Sequence, residues 1–185
     1  MRAISVVIPA CNAAATITAT LRSEADIIGE ILLVDDASTD GTAAVARQAA
    51  AERSLPLRVL PASCRDAGGA RNVALAEAVH LWIYPIDADD LHLQGGLRLL
   101  LRQVEEQPKA DMIVSAYRRR VNGQDRQIKV PNGYRAVCLA NASAYAKGDI
   151  HSVAVGSVLE SRSLIGETRF PVGLAYDMIR CSGRG

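Results

Sequence analysis

The sequence predicts an α/β fold in which helices flank a mostly parallel central sheet. Short, β-branched, apolar segments alternate with helical segments along residues 3–106, and this alternation is typical of parallel sheets with helices on both faces. The apolar segments contain few polar positions, as expected of strands that are buried on both sides. Polar side chains directly follow three of these segments, and in such sheets ligands bind beyond the carboxyl ends of the strands.

The elements of the first 110 residues follow from these patterns. We expect strands at 3–9, 30–34, 57–60 and 81–86, and helices at 13–24, 42–52, 70–79 and 95–106. Pro9 is expected to end the first strand. Residues 61–69 are expected to form a loop, in which Gly68 and Gly69 allow a tight backbone. The last of these helices has leucines at helical spacing, which indicates a packing role.

The pattern changes after residue 110, where a smaller antiparallel portion is expected. Residues 111–117 predict a strand. Asn122 followed by Gly123 predicts a hairpin turn, with its return arm at 125–130. Later segments predict a helix at 138–147, a strand at 152–159, a short helix at 161–166 and a loop through Phe170 and Pro171.

Composition restricts the class of protein. The chain has 185 residues, 49% of them hydrophobic and 22% charged, which is typical of one soluble domain with a real core. Its net charge of +1 gives no indication of nucleic-acid binding or of a charged membrane-surface binder. No apolar run approaches the ~20 residues of a membrane span. Peripheral membrane contact and the oligomeric state stay open.

The four cysteines are far apart and form no pair with metal-site or redox-motif spacing. They lie at Cys11, Cys64, Cys138 and Cys181. Without such spacing, a zinc site or a thioredoxin-like motif is not expected. The N-terminus also has no signal-peptide pattern. We therefore expect a cytoplasmic protein with reduced thiols.

An acidic cluster follows the predicted strand at 81–86. Asp87, Asp89 and Asp90 place three carboxylates in four residues, where like charges repel and desolvation adds to the cost. A hard divalent cation such as Mg²⁺ or Mn²⁺, with a diphosphate on its other side, would offset that repulsion. An acidic loop that caps the next helix is the alternative, and the four residues alone leave both open.

Two common nucleotide-binding motifs are absent from the sequence. No Gly-x-Gly-x-x-Gly fingerprint follows the first strand, and there is no Walker A loop, so neither a dinucleotide oxidoreductase nor a P-loop NTPase is indicated. His80, His92 and His151 are scattered along the chain and are expected to be structural or solvent-facing.

Four linked motifs lie along the first half of the chain: residues 6–12 (Val-Val-Ile-Pro-Ala-Cys-Asn), residues 31–42 (with Asp35-Asp36-Ala37-Ser38), Gly69-Ala70-Arg71-Asn72, and Asp87-Ala88-Asp89-Asp90. In order and in spacing, these motifs closely resemble the family 2 inverting glycosyltransferases of GT-A fold. The resemblance implies a metal-dependent, inverting transfer of a sugar from a nucleotide-diphosphate donor, a UDP-sugar being expected, to an unknown glycan, lipid or small-molecule acceptor. It also implies a single domain over 1–185, with a nucleotide-sugar-binding half at 1–110 and a shortened acceptor-side half at 111–185. Polysaccharide biosynthesis is the expected setting.

The resemblance assigns the nucleotide contacts on the first half of the chain. Pro9, Ala10 and Asn12 would cradle the nucleotide, while Cys11 stands where the family usually has an aromatic residue, so base stacking is expected to be weaker. One of the carboxylates of Asp35 and Asp36 would accept the N–H of a uracil-like base. Asp36 is favoured and Asp35 stays open, since helix capping fits the later Ser38 and Asp40 better. Arg71 would approach the nucleotide.

The same resemblance divides the acidic cluster. Asp87, next to Ala88, would contact the ribose or a metal-bound water and share in the metal site. Asp89 would ligate the Mg²⁺ or Mn²⁺ that bridges the diphosphate. Asp90 is expected to cap the following helix.

An inverting transfer also needs a general base near the acceptor hydroxyl. The family supplies it from an acidic pair after an Arg-Phe segment, and residues 169–177 have that shape with one acid only, Asp177. Asp177 is therefore the candidate base. The missing second acid and the early end of the chain keep an alternative open, a truncated or degenerate nucleotide-sugar-binding module without transferase activity. A sugar nucleotidyltransferase is disfavoured, because its glycine-rich loop is absent.

Overall fold

The computed structural model describes residues 4–23, 28–93, 95–121, 124–128, 134–137 and 155–173. The strands are β1 (Ile4–Ala10), β2 (Glu30–Asp36), β3 (Leu57–Ala62), β4 (Trp82–Pro85), β5 (Met112–Ser115), β6 (Tyr117–Val121), β7 (Gln124–Ile128), β8 (Tyr134–Val137) and β9 (Val158–Ser161). The helices are α1 (Ile17–Ser23), α2 (Thr42–Glu52), α3 (Ala67–Glu77), α4 (Gly96–Glu106) and α5 (Arg162–Ile165), and a 3₁₀ turn spans Val155–Ser157.

Among the described residues, seven strands form the central sheet, in the order β3-β2-β1-β4-β9-β5-β8. The pairings from β3 to β4 are parallel. β9 is antiparallel to both β4 and β5, and β8 is antiparallel to β5. β5 therefore runs in the same direction as the first four strands, and only β8 and β9 oppose them. The predicted mostly parallel sheet with an antiparallel portion is confirmed.

The helices cover both faces of this sheet. Alternate residues of β1 point to opposite faces, as the strand period of two requires. Ile4, Val6 and Ile8 join a cluster that includes residues of α1, α2 and α4. Val7 joins a second cluster on the other face, which includes three residues of α3. All four of these β1 side chains are fully buried, which explains why the strand is apolar at these positions.

Pro9 lies inside β1, so the prediction that it ends the strand was wrong by one residue. Pro9 pairs with Val34 of β2, while the ladder to β4 stops at the pair Val7–Pro85. The carbonyl of Val7 accepts the N–H of Ile86 from the β4 side. Residues two apart in a strand direct their backbone groups to the same side, so Pro9, like Val7, faces the β4 side. The ladder has already ended there, and the missing N–H of Pro9 therefore leaves no ladder bond unmade.

Two helices begin three or more residues away from the predicted position. α1 starts at Ile17 rather than at 13, and the N–H groups of Ala13 and Ala14, before the helix, bond to side chains at the start of α2 and in the loop before it. α3 starts at Ala67 rather than at 70, because the Asp66 carboxylate caps it by accepting the N–H of Gly69 at 2.8 Å. Gly68 and Gly69 are therefore helical. The predicted loop over 61–69 is wrong at both ends, since β3 continues to Ala62 and α3 begins at Ala67.

The second half departs from the prediction in detail. The single strand expected at 111–117 is divided into β5 and β6, which belong to different sheets. β6 and β7 pair in antiparallel register, as the hairpin signal predicts, although the turn residues Asn122 and Gly123 lie outside the described part. The segment expected to be a strand at 152–159 includes the 3₁₀ turn before β9 begins at Val158. The helix predicted at 138–147 lies outside the described residues.

Two further expectations concern thiols and membrane spans. Cys11 is disulfide-bonded, so the expectation that every cysteine is a reduced thiol was wrong at that position. Cys64 is a free thiol at the protein surface. Over the described ranges, no helix has the length and apolar character needed to cross a bilayer.

Candidate functional site

The carboxyl ends of β2, β1 and β4 are neighbours in the sheet and point in the same direction. The strand ends and the loops that follow them therefore meet along one rim. They carry the predicted residues 9–12, 35–36 and 87–89. Pro9 and Ala10 are buried at the end of β1, so their contribution to the rim is the shape of the backbone.

Asn12 joins the first two loops of this rim. Its backbone has a φ of 52°, the left-handed region that asparagine tolerates better than most residues. Its Oδ1 accepts the N–H of Thr39 at 2.8 Å, and its own N–H donates to Oγ of Ser38 at 2.9 Å. Asn12 thus fixes the loop after β1 to the loop after β2.

Asp40 supports the same junction. Its Oδ2 accepts the N–H of Ala14 at 2.9 Å, and its Oδ1 accepts from the Thr42 backbone and hydroxyl at 3.0 and 2.5 Å. Burial opposes ionisation most strongly, but these hydrogen bonds outweigh it and lower the pKa of Asp40. The carboxylate therefore holds the loop as an anion.

The two acids at the end of β2 have different surroundings. Asp36 is 4% exposed, and its Oδ2 accepts the N–H of Asp66 at 3.1 Å. Asp35 is half-buried, and its Oδ1 accepts the N–H of Ser38 at 3.3 Å. Asp36 therefore faces the loop that begins α3, whereas Asp35 faces the loop that begins α2.

Arg71 lies in α3, below the rim, with 3% of its surface exposed. Its Nη2 donates to Oδ1 of Asp87 at 2.6 Å, and the Asp87 side chain is 32% exposed. Its Nε is buried and has no hydrogen-bond partner in the described part of the chain. The ion pair joins two of the predicted site residues directly, and it orients the carboxylate of Asp87.

In the acidic cluster, the backbone of Ala88 is bonded to α1, whereas the side chain of Asp89 is exposed to solvent. Ala88 is 5% exposed, and its carbonyl accepts the hydroxyl of Thr20 from α1 at 2.8 Å. Asp89 is exposed, and its carboxylate makes no hydrogen bond or ion pair with any residue that the structure describes. One carboxylate of the cluster is thus fixed by Arg71, and the next is free to take a ligand.

Asp90 does not cap the following helix, contrary to the prediction. The N-cap of α4 is Gly95, with a φ of 76° and no side-chain cap. The carboxylate of Asp90 instead lies beside Gly156, where an added Cβ would be 3.2 Å from Oδ2. Burial of this carboxyl group, then the charges of Asp87 and Asp89, raise its pKa to about 6.

The donor set of the cluster fits a hard divalent cation. Mg²⁺ and Mn²⁺ prefer oxygen ligands, and Mg²⁺ usually binds through one or two carboxylates together with water and substrate phosphates. Asp89 and the second oxygen of Asp87 could supply two such ligands. No group of three or more potential metal-binding side chains exists among the described residues, so further ligands would have to come from the diphosphate and water.

Residues 170–173 contact the N-terminal turns of α3, a feature the sequence did not reveal. Asn72 and Asp66 accept hydrogen bonds from Phe170 and Gly173. Asp66 precedes the helix by one residue, a position where an aspartate indicates an N-cap. No sequence pattern near Asp66 indicates its second contact, with Gly173. Asp177, the candidate base, lies outside the described residues.

Cys64 is also close to this rim. A Cβ on Gly69 would be 3.4 Å from its Sγ. Burial, then the charges of Asp36 and Asp66, raise the pKa of the thiol. The sequence alone did not connect this cysteine with the site.

Comparison with solved structures relates the fold to known proteins. Residues 1–349 of S. aureus TarS, solved with UDP, are 28% identical and align over 66% of this chain and 37% of that one, with a TM-score of 0.58. The mannosyltransferase PcManGT from Pyrobaculum calidifontis, solved with GDP-Man and Mn²⁺, is 23% identical over 96% of this chain and 50% of that one, with a TM-score of 0.70.

A third neighbour is glucosyl-3-phosphoglycerate synthase from Mycobacterium tuberculosis, solved with UDP. It is 24% identical over 89% of this chain and 58% of that one, with a TM-score of 0.62. These likenesses confirm the predicted GT-A fold. The chain spans between about a third and three fifths of the length of these neighbours.

Comparison of sequences identifies the family. No curated protein matches the chain. The family described as "Glycosyl transferase family 2" matches residues 5–154, which include all four motifs and well over half of the chain. The chain belongs to glycosyl transferase family 2.

Proposed function

We propose that this protein is a metal-dependent, inverting glycosyltransferase that moves a sugar from a UDP-sugar to an acceptor hydroxyl. The observation that carries the proposal is the rim itself. Asp36, Asp87 and Asp89 lie at or just beyond the ends of the two strands that flank β1, and the buried Arg71 bonds directly to Asp87. Parallel sheets bind ligands at this edge, and the family supplies the reaction class.

Asp36 is the proposed acceptor of the base N–H. A carboxylate has about four lone-pair sites, and the Asp66 N–H, which donates to Oδ2 of Asp36 at 3.1 Å, needs one of them. A hydrogen bond to a buried carboxylate competes little with water and is therefore stronger than one to the more exposed Asp35. TarS, solved with UDP and with UDP-GlcNAc, supports uracil as the base.

Asp89 and Asp87 are the proposed metal ligands. When bound, Mg²⁺ or Mn²⁺ would offset the negative charge of the departing nucleoside diphosphate. Arg71 bonds to Oδ1 of Asp87, and the half-buried carboxylate keeps Oδ2 as a potential metal ligand. PcManGT, solved with Mn²⁺, supports divalent metal use in this fold.

Asp177 is the proposed general base. It would take the proton of the acceptor hydroxyl as that oxygen attacks the anomeric carbon, while the bond from this carbon to the diphosphate oxygen breaks. Attack opposite the leaving group inverts the anomeric centre. The division into a donor half at 1–110 and an acceptor half at 111–185, and a cytoplasmic location, are part of the same proposal.

A nucleotide-sugar-binding module without transferase activity is the second candidate. The sequence offers only one acid, Asp177, where the family has a pair. Such a module would keep the donor contacts of Asp36, Arg71 and Asp89 and would bind UDP without turnover.

The test begins with binding. Melting temperatures are measured with UDP, GDP and TDP, each with and without Mn²⁺, and UDP with Mn²⁺ is expected to stabilise the protein by mass action. The absence of metal-dependent stabilisation by any nucleotide would contradict both candidates.

Turnover then separates the two candidates. A panel of UDP-sugars is assayed for transfer or hydrolysis with wild type, Asp177→Asn and the matched surface control Asp125→Asn. Asp125 lies in β7, outside the central sheet, and pairs with Arg120 at the protein surface. Turnover that is lost in Asp177→Asn alone, with UDP binding retained, supports the transferase. Binding without turnover in every protein supports the module.

A further inference from the structure

Residues 170–173, which we call the strap, lie across the N-terminal turns of α3. Asn72 holds the strap at its start, where its Oδ1 accepts the N–H of Phe170 at 2.8 Å and its Nδ2 donates to the Phe170 carbonyl at 3.0 Å. Asp66 holds the other end, because its Oδ2 accepts the N–H of Gly173 at 3.0 Å. Three hydrogen bonds therefore fix both ends of the strap to one helix and its cap.

Gly68 provides the space for this contact. A Cβ at this position would overlap the carbonyl oxygen of Pro171 in the strap. Gly68 is itself buried in α3, and glycine is unfavourable inside a helix compared with alanine. The close approach of the strap gives a physical reason for a glycine at this position.

The strap also contacts the nucleotide side of the site through Arg71. The guanidinium carbon of Arg71 is 5.4 Å from the centre of the Phe170 ring, within cation–π range. The same guanidinium donates to Asp87 at 2.6 Å. Arg71 is thus held between a residue of the strap and a carboxylate of the acidic cluster.

Asp177 follows the strap by four residues in the sequence. Four residues of extended chain reach at most about 14 Å. Fixing Gly173 on Asp66 therefore limits how far the candidate base can be from the rim. A loose strap would remove this limit while the ion pair between Arg71 and Asp87 stays in place.

We propose that Asn72 and Gly68 are positioning residues that dock the strap on α3, and that this docking ties the acceptor-side segment bearing Asp177 to the Arg71–Asp87 pair. The proposal rests on the proposed function for its catalytic consequence. Neither residue needs to touch the sugar, the nucleotide or the metal. Their effect on turnover would come through the placement of the strap.

Two substitutions perturb the docking in different ways. Asn72→Ala removes two of the three hydrogen bonds, whereas Gly68→Ala places a methyl group against Pro171 while favouring the helix. Gln48→Ala is the matched control, because Gln48 is an exposed amide in α2 with one long bond, 3.4 Å, to Glu52. A second variant that favours the helix keeps the test valid if Asn72→Ala folds poorly.

Limited trypsin digestion measures docking without reference to activity. The bond between Arg169 and Phe170 enters the strap, and Arg169 is exposed. Cleavage of that bond, quantified by mass spectrometry, reports the population of the open strap. We expect cleavage about ten-fold faster in Asn72→Ala, in line with the loss of two ordinary hydrogen bonds. A similar increase is expected in Gly68→Ala, because the added methyl group overlaps Pro171 of the strap, and unchanged cleavage is expected in Gln48→Ala.

Kinetics measure the consequence for catalysis. In both variants kcat is expected to fall about ten-fold. The Kd for UDP with Mn²⁺ is expected to stay within about two-fold of wild type, because neither substitution removes a side chain that is proposed to contact the donor. Cleavage rates equal to those of the Gln48→Ala control would overturn the docking, and an unchanged kcat with fast cleavage would overturn the positioning role. A wild type without turnover would contradict the proposed function, whereas the cleavage rates would still decide whether Asn72 and Gly68 hold the strap.

Discussion

The ion pair between Arg71 and Asp87 predicts that two acids of one cluster differ sharply in their effect on stability. Asp87→Ala removes the carboxylate that pairs, at 2.6 Å, with an arginine side chain that is 4% exposed. The Nε of this arginine already lacks a hydrogen-bond partner among the described residues. The substitution therefore leaves a buried charge with little compensation.

The expected loss of stability in Asp87→Ala depends on how deeply the ion pair is buried. Removing one partner of a fully buried pair costs about 3–5 kcal/mol, whereas an exposed pair contributes about 0–1 kcal/mol. Asp87 is 32% exposed, so screening by water lowers the estimate to about 2 kcal/mol. For a chain of this length that corresponds to a fall in Tm of about 4–8 °C.

Asp89→Ala is the matched control. Asp89 is exposed and loses no contact that the structure describes, so the Tm of this variant is expected to stay within about 2 °C of wild type. The double substitution Arg71→Met with Asp87→Ala should recover part of the loss, because it also removes the unpaired charge. Thermal unfolding is followed by circular dichroism, with EDTA present and without nucleotide. Equal melting of the two single variants would refute the reasoning.

The remaining predictions concern three other groups. Glu30 begins β2 and accepts hydrogen bonds from Ser5 Oγ at 2.6 Å and Val79 N–H at 2.7 Å. Burial opposes the ionisation of Glu30, but these bonds and Arg58 lower its pKa. Glu30→Ala should therefore lower the free energy of unfolding in urea by about 3 kcal/mol at pH 7, and a loss under about 1 kcal/mol would contradict the network. The wild-type contribution of Glu30 should be lost as the pH falls below 4.5, its ordinary pKa. Asp90 has a pKa raised to about 6, so its ionisation destabilises the fold as the pH rises from about 4 to 6. Asp90→Asn should therefore have a higher melting temperature than wild type at pH 7 and an equal one at pH 4. The reverse order would contradict the destabilising role of the Asp90 charge. Cys64 lies beside Asp36, the proposed base contact, and its thiol has a raised pKa. UDP with Mn²⁺ should therefore cover Cys64 and slow its alkylation relative to protein without nucleotide, measured at about pH 8, near the ordinary pKa of a thiol. Mass spectrometry of the Cys64 peptide would show no such protection if the base binds elsewhere.

The sheet and the rim could be predicted because their signals are local. Continuous apolar segments such as residues 31–34 mark buried strands, and polar residues that follow them mark strand ends. Parallel topology then brings those ends together without any knowledge of side-chain contacts. Asp36 and Asp87, distant in the sequence, share one rim for this reason.

The boundaries of elements were harder to predict, because contacts from distant residues decide them. Pro9 reads locally as a strand end, yet it lies in β1, since the neighbouring ladder has already stopped. Ala13 reads as helical, yet its N–H is taken by the hydroxyl of Thr42, at the start of another helix. Asp90 reads as a helix cap, yet its carboxyl group lies beside Gly156, far along the chain.

The sequence by itself determined the α/β class, the parallel half of the sheet and the set of acids on one rim, because strand burial and topology depend on patterns within short segments. Only the tertiary structure decided which of those acids are fixed and which are open. Arg71 donates a hydrogen bond to Asp87 rather than to Asp89, and Asn72 donates one to Phe170. No local sequence pattern relates the partners of these bonds. A hydrogen bond depends on a few tenths of an ångström and on direction, and those quantities exist only once the chain has folded.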